Sequence, residues 1–331
     1  MSLKPKVIRI LKKVLLGPTD LPPACDLGLP HPQREIEVWL HGLGAPRDVT
    51  RRHSVACPAP FTICIGLDHE RKIFDAKQRL SLRFFESGGQ RQLLGKIGLR
   101  LSATIATDGP ELYLFRTISC ANHCLPRARM YAHYLLLDYQ RWKNRARIGM
   151  KLSSLDCRCN AAMFICPRPV VLVSLLQGDR GSIFPMNLMG PVGGGHFAFA
   201  LNCKKQAASL VEQLGEVALS NVPFESISSV RQLAGNHNRQ SIDWDQLPFA
   251  TTKSSVFGIP VPAFALRVTE LKIHTVRPLG SHTLFVARIV KEEVRVDASE
   301  FCMVHGLYQA WRQANVDSCQ QAASNSVTLP V

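Results

Sequence analysis

The chain has 331 residues, of which 46% are hydrophobic, so it can bury a sizeable core and form two domains. This composition excludes an intrinsically disordered protein. The formal net charge of +15 is compatible with binding to nucleic acid, to an anionic membrane surface or to anionic small molecules. The basic residues are spread along the chain and aromatic residues do not alternate with them, so we expect no specific nucleic-acid partner.

Cysteine usage and hydropathy predict a cytoplasmic protein. Eleven cysteines are an odd number in a chain longer than disulfide-stapled domains, which favours reduced thiols. No stretch has the length of a transmembrane helix, and the basic stretch 1–17 lacks the pattern of a secretory signal. Because Cys120, Cys124, Cys157 and Cys159 lack the paired spacing of zinc sites, we predict no metal there, with zinc or a cluster as the alternative.

The first half of the chain predicts a small β-rich domain. A basic, proline-rich segment, 1–32, precedes a domain over 33–149, and the second domain is expected over 150–315 with a flexible tail over 316–331. Strand-like stretches separated by turn signals favour a sandwich or barrel. These stretches are 35–40, 61–67, 80–85, 93–105 and 112–118. A helix predicted over 125–144 connects this domain to the next.

The second half predicts strands that lead into a helix. Apolar runs at 170–176 and 183–189 flank a polar turn, and a glycine-rich turn, 191–195, precedes a strand over 196–201. The following helix begins near Lys204, with apolar residues at helical spacing. A helix start that carries two lysines is a candidate anion-binding site, since N–H groups and ammonium charge converge there. The alternative is a solvated helix start.

Five segments of the second half resemble the flavin reductase-like FMN-binding split-barrel family. They occur in the family's order at 168–174, 182–187, 217–223, 228–235 and 280–290, and the resemblance covers about residues 155–312. It implies a fold that is mainly β with α, in which an FMN-binding split β-barrel follows a small β-rich domain and a connecting helix.

The resemblance also implies a cofactor and a site. The cofactor is FMN, or FAD in its place, with NAD(P)H as co-substrate, and the protein is expected to be a homodimer. Its cofactor-binding residues are Ser182, Phe184, Pro185, Met186, Asn187 and Leu188 beside the ring and ribityl chain, and Asn202, Cys203, Lys204, Lys205 and Gln206 beside the phosphate. His282 matches a histidine near the nicotinamide or flavin and is the candidate catalytic residue.

These features predict an FMN-binding flavoprotein. We expect an NAD(P)H-dependent flavin reductase, or a flavin-dependent oxidoreductase that acts on a small molecule. The alternative is a non-catalytic flavin-binding or partner-docking protein in which the amino-terminal domain performs the recognition. Hydride transfer between stacked rings needs no protein acid or base, so the lack of a catalytic dyad does not argue against an enzyme.

Two further patterns leave alternatives open. Gly193–Gly195 replaces a serine- and proline-containing segment of the family, and either brings the backbone close to a ligand or forms a loose turn. The stretch 57–68 is similar to 166–175, which suggests that the first half is a degenerate copy of the second. The similarity does not extend past Phe74, so an internal repeat is the less favoured interpretation.

Overall fold

A computed structural model describes residues 21–68, 79–87, 91–143, 152–178 and 180–325. The basic stretch 1–17 and the domain boundary predicted at residue 150 lie outside these residues. Strands dominate, with helices beside them, which confirms the predicted class of mainly β with α. Within the described part of the chain, no helix combines the length and hydropathy of a transmembrane span.

The first half forms a seven-stranded antiparallel sheet. After β1 (Cys25–Leu29), its strands are β2 (Ile36–His41), β3 (Arg47–Asp48), β4 (His53–Pro58), β5 (Phe61–Leu67), β6 (Leu80–Glu86), β7 (Leu93–Ile105) and β8 (Glu111–Asn122). The strand order is β3-β2-β6-β7-β8-β5-β4. All five predicted strands are present, and the sequence missed β3 and β4. Helices α1 (Arg127–Lys143) and α2 (Ser154–Met163) follow.

The second half forms another seven-stranded sheet. After β9 (Arg168–Pro169), its strands are β10 (Val171–Gln177), β11 (Arg180–Met186), β12 (Met189–Gly193), β13 (His196–Asn202), β14 (Glu216–Asn221), β17 (Arg267–Leu279) and β18 (His282–Val294). The order is β11-β10-β14-β17-β18-β13-β12. Helices α3 (Gln206–Leu214) and α4 (Ile227–Gln232) and the hairpin of β15 (Thr251–Lys253) and β16 (Pro260–Pro262) lie between its strands.

A three-stranded sheet joins the two ends of the chain. Strand β19 (Glu300–Val304) pairs with β1 on one side and with β9 on the other. The segment predicted as a proline-rich connection therefore contains a strand of this sheet. Helix α5 (Gly306–Asn325) follows β19 and extends beyond residue 316, the predicted start of the tail, because glutamine and alanine in this stretch favour helix.

The two large sheets have the same strand order. When β2–β8 are matched in sequence with β10–β14, β17 and β18, both sheets follow one topology. In this match β5 is equivalent to β13, whereas the similarity of 57–68 to 166–175 compares β5 with β10. The sequence similarity therefore aligned strands that are not equivalent. The likeness of the two halves is shown by their common strand order.

The two halves share a hydrophobic core. One buried cluster combines Cys64 and Leu114 of the first sheet with Val192 and Val286 of the second. The glycine turn also faces the first half, because a Cβ at Gly194 (φ +55°) would lie 2.4 Å from Cδ of Pro110. A left-handed backbone and this close approach both require glycine there. The turn therefore brings the two halves together.

A hydrogen bond and an ion pair at Asp108 strengthen the same contact. Its carboxylate lies 2.7 Å from Nε2 of His196 and 2.6 Å from Nη1 of Arg288. The hydrogen bond from His196, together with the Arg288 charge, lowers the pKa of Asp108. Asp108 belongs to the first half and both of its partners to the second, so charge as well as apolar packing links the sheets.

The described cysteines are free thiols. Cys120 donates to the carbonyl of Arg158 at 3.2 Å, and burial raises the pKa of Cys124. Among the described residues, no group of three or more His, Cys, Asp or Glu side chains is arranged to hold a metal ion.

Candidate functional site

The candidate site begins where β13 ends and α3 begins. The side chain of Asn202 accepts a hydrogen bond from the Lys204 amide at 2.9 Å, and its carbonyl accepts one from the Lys205 amide at 3.0 Å. Lys205 is the N-cap residue of α3, in an extended conformation and without a side-chain capping bond. The first N–H groups of a helix lack the usual partner four residues back. The Ala208 amide donates to the Lys205 carbonyl at 3.2 Å, so the amides of Gln206 and Ala207 are the ones that can donate to an anion.

A cavity of about 250 Å³ lies beside this helix start. Its walls come from the end of β11, the end of β13, the start of β18 and the 3-10 helix that follows α4. The lining residues are Pro185, Met186, Asn187, Leu188, Ala200, Leu201, Asn202, Lys205, Ala234, His237 and His282. Asn202 and His282 are cross-strand partners in the sheet, which places the helix start beside the histidine.

Seven of the twelve predicted site residues line this cavity: Pro185, Met186, Asn187, Leu188, Asn202, Lys205 and His282. The structure therefore places together residues that were predicted to bind the flavin ring, residues that were predicted to bind its phosphate, and the candidate catalytic histidine.

The other five predicted residues lie elsewhere. Ser182 and Phe184 are fully buried in the core, so their side chains are not exposed in the cavity. Cys203 and Lys204 are exposed at the surface. Gln206 lines a neighbouring cavity of about 480 Å³, together with Arg180. Of the two adjacent lysines, Lys205 is the one that lines the cavity beside β11.

Lys205 supplies positive charge to the cavity. Its Nζ donates to Oδ1 of Asn238 at 2.8 Å, and Asn238 is neutral. Within the described part of the chain, no carboxylate forms an ion pair with Lys205. Its ammonium charge therefore remains available to a bound anion.

The two histidines of the cavity are neutral near pH 7. Burial lowers the pKa of His282 to about 4, and its Nδ1 lies 3.0 Å from the Ser281 hydroxyl. Burial also lowers the pKa of His237, whose Nε2 donates to the carbonyl of Pro185 at 2.8 Å. The two imidazoles therefore offer hydrogen bonds without adding charge.

His237 is the main site residue that the sequence missed. It lies in the stretch 235–240, whose polar and turn residues predict a loop. In the structure Leu233–Asn238 is a 3-10 helix. This helix covers β11, the edge strand of its sheet, because Asn236 and His237 donate to the carbonyls of Ile183 and Pro185. An edge strand has carbonyls that no neighbouring strand pairs with. In the sequence, only the polar side chains of residues 235–240 indicated that this stretch could bind to such carbonyls.

The first half supports the strand that carries His282. The Ser281 amide donates to the carbonyl of Ala59 at 2.9 Å, and the Ser281 hydroxyl lies 3.5 Å from Sγ of Cys57. A Cβ at Gly280 would lie 2.4 Å from the Ala59 carbonyl oxygen. The β4–β5 turn therefore packs directly against the residues that precede His282.

The residues of the cavity fit a flavin phosphate and ring. Lys205 and the uncapped start of α3 offer a cation and N–H donors at one end, as a phosphate needs. The segment 185–188 offers apolar side chains and backbone amides at the other end, as the edge of a flat ring needs.

Residues 163–312 match the family model of the flavin reductase like domain. This match confirms the resemblance for the second half and the split-barrel fold. It does not extend to the first half of the chain. A search of curated proteins found no match.

Several solved structures are similar to part of the chain. An FMN-binding protein from Thermus thermophilus is 22% identical over 39% of this chain and 73% of its own, with a TM-score of 0.35. An NADH:FAD oxidoreductase from Streptomyces globisporus is 16% identical over 45% and 88%, with a TM-score of 0.39. The flavin reductase of a styrene monooxygenase from Pseudomonas putida is 16% identical over 42% and 88%, with a TM-score of 0.35.

Proposed function

We propose that the protein binds FMN, or FAD in its place, in the cavity beside Lys205. We further propose that it is an NAD(P)H-dependent flavin reductase or a flavin-dependent oxidoreductase that acts on a small molecule. The observation that supports this most directly is that one cavity combines three features: a lysine without an ion-pair partner among the described residues, a helix start without a side-chain cap, and the largely apolar segment 185–188.

Each part of the cavity has a role in this proposal. Lys205 and the amides at the start of α3 bind the phosphate, while Pro185, Met186 and Leu188 contact the ring and exclude water from one of its sides. Bound flavin supplies a hydride acceptor and donor. His282, held neutral by burial, donates or accepts a hydrogen bond beside the helix start without changing the charge of the cavity.

Purified protein tests this function directly. We expect it to bind FMN and to bleach under anaerobic conditions when NADH or NADPH is added. A protein that binds FMN but stays yellow with both nicotinamides would instead support the alternative of a non-catalytic flavin-binding protein. A protein that binds neither FMN nor FAD would contradict both proposals. The cytoplasmic location remains a prediction.

The homodimer implied by the resemblance also remains a prediction, and the structure offers an alternative to it. Two sheets of the same strand order pack together within one chain. We therefore propose that the first half takes the place of a second subunit, with its β4–β5 turn supporting the His282 strand. Light scattering after gel filtration should then give a mass of 36.7 kDa. A doubled mass would support the homodimer and contradict this arrangement.

A further inference from the structure

Another cavity lies between the two halves of the chain. It has a volume of about 120 Å³ and does not include the residues assigned to the flavin. The first half contributes Gln33, Thr50 and His53 to its walls, and the second half contributes Arg168, Gly190 and Arg267. A cavity needs about 10–15 Å³ of space to hold one water molecule. This cavity is several times larger, so it can hold a small organic molecule.

Arg168 brings a buried positive charge to this cavity. The residue is 4% exposed, and its Nε and Nη2 have no hydrogen-bond partner. No carboxylate among the described residues hydrogen bonds to it, and the nearby Cys166 is a buried thiol whose pKa is raised. A buried charge without a partner is strongly unfavourable, so this guanidinium needs a ligand that the described part of the chain does not provide.

The free nitrogens of Arg168 indicate the chemistry of that ligand. Nε and Nη2 form one edge of the guanidinium, where two parallel N–H groups match the two oxygens of a carboxylate. Arg267 and Glu292 both line the cavity and form an ion pair, with 3.7 Å between the Arg267 Nε and a Glu292 carboxylate oxygen. This distance is too long for a hydrogen bond, but the Glu292 charge offsets that of Arg267. The cavity therefore has one uncompensated positive charge, in a geometry suited to two-pronged binding.

His53 adds an acceptor to the same cavity. Its Nδ1 donates to the carbonyl of Val49 at 2.7 Å. In the neutral imidazole the other nitrogen is then unprotonated, and Nε2 is buried without a partner. Burial and the Arg168 charge lower the pKa of His53 to about 3, which keeps it in this form. A ligand hydroxyl can donate to Nε2.

We propose that this cavity binds a small hydroxycarboxylate, whose carboxylate pairs with Nε and Nη2 of Arg168 and whose hydroxyl donates to Nε2 of His53. Residues from both halves form the site, so it exists only because the two sheets pack together. The proposal does not depend on flavin binding.

Calorimetric titration of the flavin-free full chain with glycolate tests this site. Chloride replaces glycolate in the reference so that ionic strength stays constant. We expect saturable glycolate binding, weaker acetate binding because acetate lacks the hydroxyl, and at least tenfold weaker glycolate binding after Arg168→Met. The control Arg129→Met changes an exposed arginine outside the cavity and should bind glycolate as the parent protein does.

A measurement of stability and a second variant separate loss of binding from loss of folding. Arg168→Met removes an unpaired buried charge, so its melting temperature without ligand should not fall below that of the parent protein. If that variant does not fold, His53→Phe provides the test, and it should reduce glycolate affinity to the level of acetate. No saturable binding of glycolate or acetate, stronger binding of inorganic phosphate than of glycolate, or undiminished binding in both variants would overturn the proposal.

Discussion

Replacing Lys205 with alanine should weaken FMN binding by about tenfold to a hundredfold, since a charge-assisted hydrogen bond to phosphate contributes about 1.5–3 kcal/mol. Riboflavin has the same ring and no phosphate, so its affinity should be unchanged in this variant. Fluorescence titration with both flavins measures the two affinities. The comparison separates loss of the phosphate contact from general damage to the cavity.

Lys204→Ala is the matched control for that experiment. Lys204 is the preceding residue, carries the same charge and is exposed outside the cavity. We expect its FMN affinity to stay within about twofold of the parent value, since an exposed lysine is well screened by solvent. Equal losses in the two variants would indicate a diffuse charge effect, and FMN affinity unchanged by Lys205→Ala would contradict the phosphate site.

Gly66→Ala should destabilise the protein by about 3 kcal/mol or prevent folding, because overpacking at a rigid contact has this size of effect. Gly66 lies in β5 of the first half, and a Cβ there would be 1.7 Å from the carbonyl oxygen of Val192 in β12. Both neighbours are strand backbone and cannot move without disturbing their sheets. Chemical denaturation with two-state analysis measures the loss.

Gly235→Ala controls for the loss of a glycine. A Cβ at Gly235 meets no atom within 4 Å, so this substitution should change the free energy of unfolding by less than about 0.5 kcal/mol. If Gly66→Ala were as stable as Gly235→Ala, the close packing of β5 against β12 would be wrong, and with it the arrangement in which the first half takes the place of a second subunit.

The second half of the chain was largely predictable from its sequence. Its apolar runs and turn residues indicate β10, β11 and β13 in the correct order, and helical spacing indicates α3 to within two residues of its start. The family resemblance implied that Asn202, Lys205 and His282 belong to one site. Local patterns place these residues well because Asn202 ends β13, Lys205 is the N-cap residue of α3 and His282 begins β18.

Contacts between distant parts of the chain were not predictable. The pairing of β1 with β19 joins segments more than two hundred and seventy residues apart, and no local pattern specifies it. The common strand order of the two sheets was also not predictable from the sequence. The alternation of polar and apolar residues indicates which side chains are buried, but not which strands are neighbours. The sequence also does not show which of the two adjacent lysines lines the cavity. The backbone conformation at the start of α3 directs Lys205 to it and leaves Lys204 outside.

A crystal structure of the FMN complex would test the central claim most directly. The phosphate should lie within hydrogen-bonding distance of Nζ of Lys205 and the first amides of α3, with the ring against residues 185–188. A flavin bound elsewhere on the chain, or a phosphate that contacts neither Lys205 nor the start of α3, would contradict it.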